Sequence, residues 1–101
     1  MKMYVDIDET ICETPKNRDY SKSTPILKNI EKINEMYEKG HTIVYWTARG
    51  SSTGKDHSQL TKEQLLDWSA KFHELRCDKP MYDLMICDKA INSNEYFKNE
   101  N

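Results

Sequence analysis

The chain contains no apolar run approaching the roughly 20 residues that a membrane span requires. Cysteine is scarce: Cys12, Cys77 and Cys87 leave one thiol over in any disulfide scheme, and no Cys/His spacing resembles a zinc knuckle. Reduced thiols in a cytosolic protein are the plain reading. A basic excess is missing too. Lys and Arg number 15 against 17 Asp and Glu, a formal net charge of −2, which argues against a nucleic-acid scaffold with its usual basic face. A local basic pocket for a phosphate stays open. No repeat or low-complexity segment appears. Met1 is followed at once by a strand bearing carboxylates, so no secretory signal is expected. Together these absences predict a soluble, cytoplasmic protein with one domain over residues 1–101 and no membrane segment. At 37% hydrophobic and 32% charged residues the core is small, and a homo-oligomer would add burial.

Lys2-Met3-Tyr4-Val5 reads as a short strand that runs into Asp6-Ile7-Asp8-Glu9-Thr10. Residues 11–22 are polar, interrupted by Pro15, and read as an exposed loop or flap. Ser23-Thr24-Pro25 has the form of a hydroxyl N-cap followed by proline at the first helical position. Ile26, Leu27, Ile30, Ile33, Met36 and Tyr37 then recur at helical spacing until Gly40. Thr42-Ile43-Val44-Tyr45-Trp46 fits a strand buried on both faces. After a polar loop from Thr47 to Ser58, the capping-box pattern Thr61-Lys62-Glu63-Gln64 opens a second helix, with Leu65, Leu66 and Trp68 as its buried stripe. Phe72–Cys77 extends that helix or forms a short strand, the strand being preferred. Leu84-Met85-Ile86-Cys87 reads as a further buried strand, and Ile91–Phe97 as a turn or short helix. The order β-α-β-α-β-β predicts a three-layer, Rossmann-like α/β core with a mostly parallel sheet and right-handed crossovers.

In that architecture ligands gather where the strands end, and Asp6, Asp8, Thr47, Lys79 and Asp88 all directly follow strand candidates. Two carboxylates two positions apart repel, and both lose water if buried. A fold keeps such a pair when a cation sits between them, or when one attacks while the other handles a proton.

Asp6-x-Asp8-x-Thr10, then Thr47 after an apolar strand, Lys79-Pro80, and Asp88 after another apolar run resemble the four motifs of haloacid dehalogenase superfamily phosphatases. Trp46-Thr47-Ala48-Arg49-Gly50 and the stretch from Tyr82 to Asn92 are similar to a small subgroup linked to capsule or surface-polysaccharide biosynthesis. The resemblance implies that Asp6 attacks phosphorus and that Asp8 protonates the leaving alcohol, for which its surroundings should favour the neutral form. It implies Mg²⁺ held by the Asp6 side chain, the Asp8 carbonyl and Asp88. Thr47, the Ala48 N–H and Lys79 would hold the phosphoryl oxygens, and Thr10 would fix the loop that orients Asp8. Related sequences carry two acids where this one has Cys87-Asp88, which implies that Asp88 keeps the ligand role and that metal binding survives in weakened form, and Asn92 would orient a metal-bound water.

No interval is long enough for a lid domain, so the resemblance implies a capless member acting on a small phosphorylated metabolite such as a sugar, polyol or amino-alcohol phosphate. The 11–22 flap, the 49–58 loop or a neighbouring subunit would then cover the site, with Arg18, Tyr20, Arg49, Lys55 and His57 as candidates. Gly50 to Lys55 imitates a phosphate-binding loop, but the interval is one residue short and Asp56 stands where Ser or Thr is needed. His41, His57 and His73 are scattered and read as surface residues, and Asp83 as a turn residue. Two alternatives use the same residues. Polynucleotide 3′-phosphatase activity has the acidic balance against it. A non-enzymatic phospho-acceptor module has the motif order against it.

Overall fold

In the computed structural model, which describes residues 1–98, the first apolar run forms β1, Lys2–Val5. Cys12–Glu13 is β2 and Thr24–Pro25 is β3, paired antiparallel as a two-residue ribbon with Cys12 opposite Pro25. Helix α1 follows at Leu27–Glu38, then β4 at Thr42–Trp46, α2 at Ser58–Asp67, β5 at Glu74–Arg76 and a short α3 at Ser93–Tyr96. The main sheet is three-stranded and wholly parallel in the order β1-β4-β5. Lys2 to Val5 stand opposite Thr42 to Tyr45, and Val44 to Trp46 opposite Glu74 to Arg76.

β4 is the central strand, and its sequence shows why. Ile43, Val44 and Tyr45 are fully buried, and β-branched and aromatic side chains suit a strand flanked on both edges. The order β1, β4, β5 moves in one direction across the sheet, so right-handed crossovers lay α1 and α2 on the same face. Ile30 and Ile33 of α1, Leu65 of α2 and Phe97 after α3 accordingly share one cluster with Val5, Ile43 and Tyr45. Tyr4 and Trp46 lie on the opposite face, in an edge-to-face contact at 5.5 Å.

Four expectations need correction. Thr24 and Pro25 do not cap α1. Their backbone is extended in the ribbon, and Ile26, at the helix entrance, donates its N–H to Ile11 O at 2.8 Å. Thr61 does not open α2 either. The helix begins at Ser58, whose N–H bonds Asp56 Oδ1 at 2.9 Å, and the Thr61 hydroxyl donates back to His57 O from inside the first turn. The 11–22 segment is not uniformly exposed, because Ile11 and Cys12 are fully buried. Leu84–Cys87 is no buried strand. Every residue from Pro80 to Asn92 is exposed, with no strand among them.

Candidate active site

β1 ends at Val5, and the next three residues diverge. The fully buried Ile7 anchors the turn into the core, while Asp6 and Asp8 lie on either side of it in sequence. The carbonyl of Ile7 accepts N–H groups from Thr10 at 3.1 Å and Ile11 at 2.9 Å, and Glu9 N–H reaches Cys12 O at 2.8 Å. Glu9 takes a positive φ of 59°, a left-handed turn that costs a non-glycine residue about 1 kcal/mol. Thr10 is buried, and its carbonyl accepts the Asn29 amide of α1 at 2.9 Å. The loop is therefore fixed from both ends, at Thr10 through the backbone carbonyl.

Asp6 and Asp8 have opposite surroundings. The Asp6 side chain is 41% exposed and faces Lys79 Nζ at 3.4 Å. Its Oδ1 also accepts the Ile7 N–H at 2.9 Å. Burial of the carboxyl raises its pKa above the ordinary value, and Lys79 offsets part of that shift. For Asp8, burial alone would act the same way. The Arg49 guanidinium and the Thr14 hydroxyl outweigh it and hold the carboxyl below its usual range. The expectation that Asp8 is kept neutral is thus reversed.

Arg49 is the residue that composition and motif misplaced. Read as part of a layer over an open site, its side chain is instead wholly inaccessible. Its Nε and Nη2 fork onto Asp8 Oδ2 and Oδ1 at 3.1 and 2.8 Å. Nη1 donates to Thr61 Oγ1 at 3.1 Å and Gln64 Oε1 at 2.6 Å, and Nη2 also reaches Ser23 Oγ at 3.3 Å. The Tyr20 ring covers the guanidinium at 4.6 Å, and the Tyr20 carbonyl accepts the Gln64 amide at 2.6 Å. One buried cation so ties the motif loop to the flap and to α2. Thr14, Ser23, Thr61 and Gln64 were missed as members of this network. The capping-box pattern drew attention to Thr61 and Gln64 for another reason.

Thr47 caps the carboxyl end of β4. Its N–H donates to Arg76 O at 2.9 Å, its carbonyl accepts Lys79 N–H at 3.2 Å and its hydroxyl accepts Arg49 N–H at 3.2 Å. Lys79 is held further by Ser51 Oγ, which donates to its carbonyl at 2.7 Å. The Lys79 ammonium lies 5.6 Å from the Trp46 ring centroid and 5.4 Å from that of Tyr82. Ala48 follows, half-buried, so Asp6, Thr47, Ala48 and Lys79 gather at one end of the sheet. The loop after them closes on itself: Gly54 N–H reaches Gly50 O at 2.7 Å. Gly50 has φ +85°, and a Cβ there would meet Lys55 O at 2.0 Å, so the segment is a tight turn and not a phosphate cradle. His57 stacks edge-on with Tyr20 at 4.9 Å, and Arg18 pairs with Glu9 at 2.8 Å on the surface.

Asp88 does not join the others. It is exposed, and its recorded side-chain contact is with the thiol of its neighbour Cys87 at 4.0 Å. Among the described residues no three His, Cys, Asp or Glu side chains converge as a metal-binding group. With Asp8 engaged by Arg49, one chain as folded here offers only the Asp6 carboxylate beside the Asp8 carbonyl. Mg²⁺ keeps several waters and is bound through one or two carboxylates together with substrate phosphate, so these oxygens are part of such a donor set and the second acid is what one chain lacks.

No protein-family model matches the chain, and no curated protein does. Among solved structures it is similar to the crystal structure of a structural-genomics target from Vibrio cholerae, with a TM-score of 0.81 at 25% identity, covering 94% of this chain and 85% of the other. The likeness extends the α/β fold over nearly the whole chain. No helix among the described residues is long and apolar enough to cross a membrane.

Proposed function

We propose that the chain is a phosphomonoester hydrolase with the three-layer core and four motifs of the haloacid dehalogenase superfamily, acting on a small metabolite phosphate. The observation that carries this reading is the Asp6–Lys79 pair at 3.4 Å. It couples a partly exposed carboxylate to a fixed ammonium at the carboxyl end of a parallel strand, where ligands collect in such sheets. Asp6 supplies the nucleophilic oxygen, and Lys79 holds the phosphoryl oxygens and offsets their growing charge. Asp8, ionised and oriented by Arg49, is suited to take a proton from the water that hydrolyses the aspartyl-phosphate. Mg²⁺, the cofactor of this reading, would supply further charge neutralisation at the phosphoryl group. The Asp6 carboxylate and the Asp8 carbonyl would hold it, with Asp88 as the second acid. A role in capsule or surface-polysaccharide assembly, in the cytoplasm, belongs to the same proposal.

The test is phosphate release from a panel of sugar, polyol and amino-alcohol phosphates with Mg²⁺, alongside a 3′-phosphorylated oligonucleotide. Turnover of the small esters that disappears in Asp6→Asn supports the reading. Preference for the oligonucleotide would favour the polynucleotide alternative, and a stable acyl-phosphate without turnover a phospho-acceptor module.

A further inference from the structure

Two exposed features of the chain are complementary. The outer edge of β1 is unpaired among the described residues, since β1 is bonded to β4 alone. That edge ends at Asp6, beside the candidate nucleophile. The apolar stretch from Met81 to Ile91 is displayed to solvent: Leu84 is 76% exposed and Ile86 91%. It reads as a strand by composition, ends in Asp88, and has no strand to pair with. Contiguous apolar exposure of this kind marks an interaction surface more often than bare protein, and an open strand edge is the matching template.

The chain's own edge lies at the limit of the segment's reach. Thr47 N–H bonds Arg76 O, so the Thr47 carbonyl that receives Lys79 N–H points to the β5 side of β4. Lys79 therefore lies in line with β5, at the carboxyl end of the sheet. A parallel strand beside β1 must start at the opposite end. Strands are spaced about 4.8 Å apart, so the three intervals from the β5 line to the free side of β1 make about 14 Å. Running back four residues adds about 13 Å, a diagonal of about 19 Å before any detour around the sheet. Five residues from Lys79 to Leu84, fully stretched, span at most about 18 Å. After the excursion the chain returns to its own body at Ile91, which with Met3, Val5, Ile33 and Phe97 lines a recess of about 120 Å³.

We propose that Leu84–Cys87 adds as a parallel strand to the free edge of β1 in a second copy of this chain, reciprocally, bringing Asp88 beside the partner's Asp6. Both halves of the contact are present on every copy, which is the condition for a closed two-fold dimer. The added strand reverses the direction of strand order at β1 and so places Asp6 at a topological switch point, where open α/β sheets bind ligands. It also supplies the acidic ligand that one chain lacks. The role of Asp88 rests on the phosphatase reading above, whereas the strand exchange does not.

Sedimentation and hydrogen exchange of the intact chain test the exchange independently of activity. The expected result is a species of twice the chain mass, with the Lys2 and Tyr4 amides, which face away from β4, protected in proportion to the dimer fraction. Both should be lost in the double variant Leu84→Asp, Ile86→Asp, whose sites are solvent-facing and tolerate the change in the monomer. A chain that stays monomeric at high concentration, a dimer indifferent to the double variant, or Lys2 and Tyr4 amides protected equally at all concentrations would overturn the proposal. For the shared site, Asp6→Asn and Asp88→Asn chains are co-expressed with different tags and the heterodimer isolated. It carries one intact and one doubly altered site, so about half the wild-type activity per dimer is expected, against near-background rates for each homodimer. A heterodimer as inactive as its parents, in an active and dimeric wild type, would show that Asp88 acts elsewhere. If the wild type hydrolyses no ester, the mass and exchange measurements still decide the strand exchange.

Discussion

Arg49 grips Asp8 with two parallel hydrogen bonds at 2.8 and 3.1 Å, the guanidinium wholly buried and the carboxylate 17% exposed. A bidentate guanidinium–carboxylate pair is directional as well as strong. Here it orients the second acid of the Asp-x-Asp motif and favours its ionised form. The remaining guanidinium hydrogens go to Thr61, Gln64 and Ser23, so a charge removed from water is repaid at every donor. The 11–22 flap and α2 consequently move with the motif loop.

Breaking one side of a buried pair leaves an uncompensated charge, typically costing about 3–5 kcal/mol. Arg49→Met is expected to lose stability on that scale, read from the midpoint of denaturant unfolding. Arg49→Lys should recover only part of it, because an ammonium cannot fork. Equal stability of Arg49→Lys and wild type would show that the fork contributes nothing beyond charge.

The two acids should give opposite pH dependences. The Asp8 pKa is depressed below 3.8 in the fold, so its contribution is present in full above that value and fades as pH falls through the folded pKa. The Asp6 pKa is raised above 3.8. Its penalty is absent when both states are protonated and appears as pH rises through the folded pKa. Asp8→Asn is therefore expected to be destabilised at about pH 7, with the gap narrowing towards about pH 3. Asp6→Asn should match or exceed wild-type stability at neutral pH and lose that advantage in acid. Thermal unfolding across the range measures both.

An ionised Asp8 also bears on substrate choice. General-acid help to a departing alcohol is worth about 10²–10⁴-fold, and a carboxylate held by Arg49 does not give it readily. Rates on aryl phosphates should then climb steeply with the acidity of the leaving phenol, by at least about tenfold from phenyl to p-nitrophenyl phosphate. In Asp6→Asn turnover of all esters should fall by at least about a thousandfold with the fold retained. A flat dependence on the leaving group would mean that Asp8 delivers its proton despite Arg49.

Much of the fold could be read from residue pattern because its elements are locally consistent. The alternation in Lys2–Val5, the apolar run at β4 and the 3.6-residue stripe of α1 each specify their element without outside help. The strand at Glu74–Arg76 falls inside the 72–77 stretch, where a strand is preferred to an extension of α2. Asp6, Thr47 and Lys79 come together as their positions after strands predict. Failures arose where a residue had two uses. Thr24, Pro25 and Thr61 carry capping chemistry, but tertiary bonds from Ile11 and Arg49 claimed their neighbourhoods. Arg49 looked like a surface cation because sequence gives no sign that five acceptors surround it. Leu84–Cys87 has the composition of a buried strand, and that composition gives no sign that the run stays unpaired and exposed in its own chain.

Tyr45 offers a check on the core that is independent of any chemistry. Its ring is fully buried in β4 and meets Phe72 edge-on at 5.9 Å, yet its hydroxyl has no hydrogen-bond partner among the described residues. Burial pushes the phenol pKa well above its ordinary value, as expected for a group that cannot ionise without water. An unmatched buried hydroxyl costs about 1–3 kcal/mol relative to one that is solvated or paired. Tyr45→Phe keeps the ring and its packing and removes that cost, so the variant should unfold at higher denaturant by the equivalent of about 1 kcal/mol. A loss of stability instead would reveal an acceptor or a water that the hydroxyl uses, and would place a polar group inside the cluster formed by Val5, Ile43 and Leu65.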